Sequence, residues 1–181
     1  MGNIRTHGGI EKKVPSFPTE KVFNGLRNDA NVLSINGTEM DYDRGDISFD
    51  DAVELMQKAN ITCVMYTSSS HTELEPRWRI LVPTSKKYKP SSRTKITARI
   101  NGVFGGVFGD ESFVLSQSFH YGQVRNKPLM RHAIIEGDFV DLRKDLPEIG
   151  KGETAPVPDN PFSRYGAQAV GGGEHVGFDA K

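Results

Sequence analysis

The chain has 181 residues, of which 36% are apolar, 9% aromatic and 25% charged, a composition that excludes collagenous, low-complexity and membrane-embedded classes and fits a globular domain with tails. Its single cysteine, Cys63, makes no internal bridge and no CxxC pair, which predicts a reducing, cytoplasmic setting. No apolar run approaches the roughly 20 residues that span a bilayer, and the first residues, MGNIRTHGGIEKK, lack a signal-type hydrophobic stretch, so neither membrane insertion nor secretion is expected.

The 23 basic and 23 acidic residues cancel in number but not in place. Asn36 to Glu54 holds seven acids against Arg44 alone, and Pro76 to Gly109 holds eight bases and no acid. An acidic block followed by a basic one suits carboxylates that hold cations beside cations that hold a polyanion; two mutually compensating solvated faces are the plain alternative.

Residues 1–30 read as a polar, loosely attached lead-in interrupted by Gly8, Gly9, Pro15 and Pro18. Val32 to Ile35 and Met40 to Asp43 are expected as two short strands around a turn at Asn36-Gly37. Ser48 has the character of a helix N-cap with Asp51 as its partner, and Phe49, Ala52, Val53, Met56 and Ala59 recur at helical spacing until Asn60. Ile61 to Tyr66 is a β-rich run that completes a β-α-β order and ends in the polar turn TSSSH. Alternation resumes at Arg77-Trp78-Arg79 and is expected to stop at Pro83. A second helix from Pro90-Ser91-Ser92 carries an apolar stripe of Ile96, Ile100, Val103, Phe104 and Val107, from which Arg93, Lys95 and Arg99 fall away, until Gly105-Gly106 ends it. Strands near Ser116 to Tyr121 and His132 to Glu136 follow. The core is thus expected over 31–149, and the Gly/Pro-rich residues 150–181 read as a disordered tail or linker.

Asp41-Tyr42-Asp43 is the sharpest chemical feature. Residues i and i+2 of a strand share a face, so two carboxylates stand together, and they repel unless a cation neutralises them. Hard oxygen ligands so placed suit Mg²⁺ or Mn²⁺, and two such ions would position nucleophile and leaving group in phosphoryl transfer. Relief of that repulsion predicts that removing either acid slightly raises the metal-free melting temperature. Asp110 is a candidate third acid, with Glu111 as its alternative. Ser69 and His71 belong to a turn expected at the same sheet edge as the acids, where hydroxyls and an imidazole meet phosphate. Arg77 and Arg79 share a strand face and suit a phosphate clamp, while Lys86, Lys87, Arg93 and Arg99 of the same basic block are the candidate nucleic-acid contacts. His120 and Tyr121 could join the site. The other histidines show no zinc spacing, and no GxxxxGK[ST] loop is present.

Taken in order, a strand ending in D-x-D, a helix and strand, S-x-H (Ser69-Ser70-His71) and P-R-x-R (Pro76-Arg77-Trp78-Arg79) make the block from Asn36 to Tyr88 resemble the primase-polymerase domains of phages and plasmids, within the archaeo-eukaryotic primase superfamily. The likeness extends over roughly residues 30–145 and weakens at the third acid. It implies an α+β, RRM-like catalytic core with an additional small β-rich unit. It further implies Asp41, Asp43 and Asp110 as metal ligands, with Asp41, Asp43 and His71 catalytic, and Ser69, His71, Arg77 and Arg79 on the nucleotide. The expected activity is DNA-directed nucleotidyl transfer in phage or plasmid replication. Its partners would be nucleoside triphosphates, a DNA primer-template and a separate helicase or other replication protein. The competing expectations are a catalytically inactive nucleic-acid-binding module of the same fold, and metal-dependent phosphodiester hydrolysis.

Overall fold

Ser48 shows how local chemistry starts the fold. Its hydroxyl accepts the Asp51 amide at 3.0 Å and donates to the Asp51 carboxylate at 2.8 Å, capping α1 (Phe49–Lys58), a device worth about 1 kcal/mol. Phe49, Ala52 and Met56 form the buried stripe, and Asn60 closes the turn with a left-handed φ of 52°.

The computed structural model describes residues 22–23, 26–119 and 130–153, and within these the chain is α+β. Strands β1 (Val22–Phe23), β2 (Val32–Tyr42), β3 (Cys63–Thr67), β4 (Trp78–Tyr88) and β5 (His132–Ile135) form one sheet in the order β1-β2-β4-β3-β5. Every neighbouring pair is antiparallel. Strands β2 and β3 therefore run in the same direction with β4 inserted between them, so the β2-α1-β3 crossover is a split one. The ends of β2 and β3 and the start of β4 consequently meet at one sheet edge, where the sequence placed the acids and the serine-rich turn.

Alternation assigns the two faces. Met40, Tyr42, Cys63, Met65, Trp78, Ile80 and Val82 join a core with Phe49, Ala52 and Met56 of α1 and Ile96, Ile100 and Val103 of α2 (Arg93–Val103). Tyr42 and Trp78 are register partners whose rings stack at 4.6 Å between centroids, with Phe104 and Phe108 against the indole, a contact worth about 0.5–1.5 kcal/mol beyond its buried area. The Trp78 indole donates to Ile47 O at 3.1 Å, while the Tyr42 hydroxyl accepts the Asp46 and Ile47 amides and contacts the Asp46 carboxylate. These bonds tie the loop between Asp43 and Ser48 to the end of β2.

Several expectations are corrected. Asn36-Gly37 is no turn: β2 is one continuous strand of 11 residues, with a register shift between Ile35 and Gly37. Pro83 does not stop β4, because it faces Gly37 at that irregularity, where a missing amide is tolerated. Ser116 to Phe119 is not a strand, and His120 and Tyr121 lie outside the described residues. No second β-rich unit occurs among the described residues, since all their strands join this sheet. The lead-in is attached from residue 22: β1 pairs with β2, and Asp29 accepts the Ser116 amide at 2.7 Å. Hydrogen bonding from Ser116 outweighs the opposing effect of burial and lowers the Asp29 pKa.

The firmest correction concerns Arg93 and Arg99, expected on a solvent face and on nucleic acid. Both are buried. The Arg93 guanidinium donates to Thr97 Oγ1, Ser112 O and Glu39 O and lies 3.4 Å from a Glu39 carboxylate oxygen; burial lowers its pKa despite that partner. Arg99 donates to Glu148 at 3.1 Å and to the carbonyls of Val140 and Asp141. The reason is tertiary. The segment from Val140 to Gly150 packs on α2 beside Arg99, with the Ile149 amide on Ala98 O and the Asn101 side chain on Ile149 O and Gly150 O, while Glu39 of β2 and Ser112 enclose Arg93.

Candidate functional site

The face of the sheet opposite the helices carries a row of polar groups. Register pairs Asp41 with Arg79, Arg79 with Tyr66 and Tyr66 with His132, so four side chains from four strands line up at the edge where β2 ends. Arg79 Nε donates to Asp41 Oδ1 at 2.8 Å, and Tyr66 also hydrogen-bonds Arg79. Burial works against the guanidinium charge, but Asp41 and Tyr66 outweigh it and raise the Arg79 pKa. The Phe119 ring covers the same guanidinium at 5.1 Å, a cation-π contact.

Asp41 is also fixed through its backbone. Its amide donates to Ser112 Oγ at 3.1 Å. Ser112 belongs to a 3₁₀ turn, Asp110–Phe113, that with Arg93 covers the part of the β2 edge β1 leaves unpaired. Asp43 lies one residue beyond the strand and is exposed. Asp110 begins the turn that touches Asp41, yet its carboxylate is 68% exposed and pairs with Lys151 Nζ at 3.1 Å. The structure thus brings the Asp110 segment to Asp41 without bringing its carboxylate, and no group of three or more His, Cys, Asp or Glu close enough to share a metal occurs among the described residues. Asp41 and Asp43 have the hard oxygen donors that Mg²⁺ or Mn²⁺ takes, and Mg²⁺ commonly uses only one or two carboxylates, completing its shell with water and substrate phosphate. They fit that role in chemistry.

The β3-β4 connection is a closed loop. The Ser68 amide donates to Arg77 O at 2.9 Å, the His71 amide to Ser68 O at 3.1 Å, and the Arg77 amide to His71 Nδ1 at 3.1 Å. Because Nδ1 accepts, the imidazole proton resides on Nε2. That nitrogen is buried and has no hydrogen-bond partner among the described residues, the closest charged group being Glu73 Oε1 at 3.9 Å. Arg77 Nε, in the same loop, is likewise buried without a hydrogen bond, and Arg77 Nη2 lies 3.7 Å from Glu75. Two donors without acceptors are costly in a folded interior. Ser69 is exposed at the loop's turn.

Of the sequence-predicted residues, Asp41, His71, Arg77 and Arg79 are therefore gathered at one edge, with Asp43 and Ser69 exposed beside them. Lys86 and Lys87 are exposed at the far end of β4, about 25 Å from Arg79 at the usual rise per strand residue. Sequence reasoning missed Tyr66 and Ser112. Alternation would have found Tyr66, because it has the opposite parity to the buried Met65. Nothing local announces Ser112, which meets Asp41 across 71 positions.

No protein-family model matches this chain, and comparison with curated proteins and with solved structures gave no match.

Proposed function

We propose that this protein is a metal-dependent nucleotidyltransferase of the primase-polymerase type, adding nucleotides on a DNA template in phage or plasmid replication, with an RRM-like core. The observation that carries the reading is the pair of donors, His71 Nε2–H and Arg77 Nε–H, that have no acceptor among the described residues, in the loop beside the Asp41–Arg79 row. A bound triphosphate offers several charged acceptors and would satisfy both. The β-α-β-β-α-β order and the split β2-α1-β3 crossover support the RRM-like part, while β5 departs from it by pairing with β3, where the last strand of an RRM flanks the first.

In this reading Asp41 and Asp43 hold Mg²⁺ or Mn²⁺, which when bound neutralises charge on the reacting phosphates. His71 donates through Nε2, and its neutral tautomer is maintained by the Arg77 amide on Nδ1. Arg77 supplies a second donor. Arg79, held between Asp41 and Tyr66 and backed by Phe119, keeps a permanent positive charge at the sheet edge. Ser69 adds a hydroxyl, and Lys86 and Lys87 remain available to a nucleic-acid backbone, whereas Arg93 and Arg99 do not.

The test is a labelled primer-template incubated with nucleotides and Mg²⁺ or Mn²⁺. Extension supports the reading. Shortening identifies a phosphodiesterase instead. Binding without extension supports the second reading, an inactive nucleic-acid-binding module, which is favoured by the engagement of Asp41 with Arg79 and of Asp110 with Lys151. Possible contacts in replication, such as a helicase, would be sought only after extension is seen.

A further inference from the structure

Each cation near the β3-β4 loop is matched by a carboxylate of this chain, but with unequal quality. Arg79 has a true hydrogen bond to Asp41 at 2.8 Å. Glu73, by contrast, touches nothing closely: its Oε1 lies 3.9 Å from His71 Nε2 and 3.7 Å from Arg131 Nη1, while its side chain is 80% exposed. Arg131 is held independently of Glu73. Its Nη2 donates to Asp50 at 2.5 Å, its guanidinium lies 5.1 Å from the Phe49 ring centroid, and its backbone pairs with Thr67 at the base of the loop. A single carboxylate oxygen thus stands near two donors without bonding either, and one of those donors is buried and has no hydrogen-bond partner among the described residues.

We propose that Glu73 is an internal stand-in for substrate phosphate, and that a nucleoside triphosphate displaces it, bringing Arg131 into the phosphate-binding set with His71 and Arg77. This rests on the nucleotide reading of the same loop. A tetrahedral phosphate presents several charged oxygens and can bridge donors that one planar carboxylate reaches only at long range. Glu73 leaves at little cost because it is exposed and buries almost nothing where it sits. Glu75 repeats the arrangement at Arg77 Nη2, 3.7 Å away. The loop therefore carries its own weak competitor, which stays near these donors until a more highly charged anion arrives.

The test is titration calorimetry of the full chain with inorganic triphosphate, metal-free and at low ionic strength, where exposed charges are least screened. Glu73→Gln should tighten binding about two- to fivefold, the scale of an exposed charge pair, and Arg131→Gln should weaken it while Arg131→Lys retains most of it. His71→Asn, which keeps an acceptor for the Arg77 amide, should lower affinity and remove the Glu73→Gln gain. If His71→Asn weakens binding but Glu73→Gln leaves it unchanged or weaker, the stand-in is wrong and the nucleotide reading survives. If neither wild type nor Glu73→Gln binds triphosphate, both fall. Because Glu73 is exposed, its variant will fold, so this arm decides the matter even if Arg131→Gln proves unstable.

Discussion

Arg79 and Asp41 face each other across β4 and β2, joined by a 2.8 Å hydrogen bond between Nε and Oδ1. This bond reverses one expectation drawn from the D-x-D motif. The repulsion between Asp41 and Asp43 is already answered by a cation from the chain itself, so removing Asp41 strands a largely buried guanidinium instead of relieving strain.

Asp41→Ala should therefore lower stability, by about 1.5–3 kcal/mol for a lost charged hydrogen bond, whereas Asp43→Ala, exposed beyond the strand, should change it by no more than about 0.5 kcal/mol. Both should abolish metal-dependent nucleotide incorporation. Urea denaturation paired with primer extension checks this, and full extension by either variant with saturating Mn²⁺ would refute the metal role.

The phosphate clamp predicts a different signature. His71→Asn, Arg77→Ala and Arg79→Ala should each raise the nucleotide KM, with losses of about 1.5–3 kcal/mol in transition-state stabilisation per charged hydrogen bond. Steady-state kinetics with varied nucleotide would show it. Unchanged KM in all three variants would make the loop purely structural.

Arg93→Gln should leave the salt dependence of DNA binding unaltered, because a buried guanidinium releases no counterion from a phosphate. It should instead destabilise the fold by about 3–5 kcal/mol, the cost of breaking a buried pair with Glu39. Lys86→Gln with Lys87→Gln should do the opposite, reducing the salt slope with little loss of stability. Binding titrations across salt concentrations, with a melting curve for each variant, separate the two.

Asp141 gives the protein an acid limb. Burial opposes its charge, but the Ser85 hydroxyl and amide and the Tyr88 hydroxyl outweigh it and lower its pKa. A folded pKa below the unfolded one means that this carboxylate stabilises the fold above the unfolded value of about 3.9 and loses that contribution as pH falls through the lower folded value. Melting temperature measured from pH 6 to pH 2 should drop more steeply for wild type than for Asp141→Asn, which should start lower.

At Gly102 an added Cβ would lie 1.9 Å from Pro147 O, so Gly102→Ala must push the Val140–Gly150 segment off α2 and should cost about 1–3 kcal/mol. The same segment sets the limit of truncation. A chain ending at Glu153 should melt within a few degrees of full length, because the Gly/Pro-rich remainder has little apolar surface to offset its ordering entropy. Ending at Asp138 instead should remove the Arg99 and Asn101 contacts and lower the melting temperature sharply.

What was legible in the sequence was whatever depends on neighbours in the chain. The Ser48 cap, the α1 stripe from Phe49 to Met56 and the opposite parity of Trp78 and Arg79 follow from spacing of 3.6 or 2 residues and short-range hydrogen bonding. The meeting of the Asp41 edge with the TSSSH turn followed from β-α-β order. Tertiary structure alone decided the rest. The segment laid over α2 turned Arg99, and Glu39 and Ser112 at the β2 edge turned Arg93, from expected surface charges into interior ones, and insertion of β4 between β2 and β3 set Arg79 against Asp41. Those outcomes depend on which distant segment covers a helix or joins a sheet, and a hydrophobic pattern specifies that a face is buried without naming what buries it.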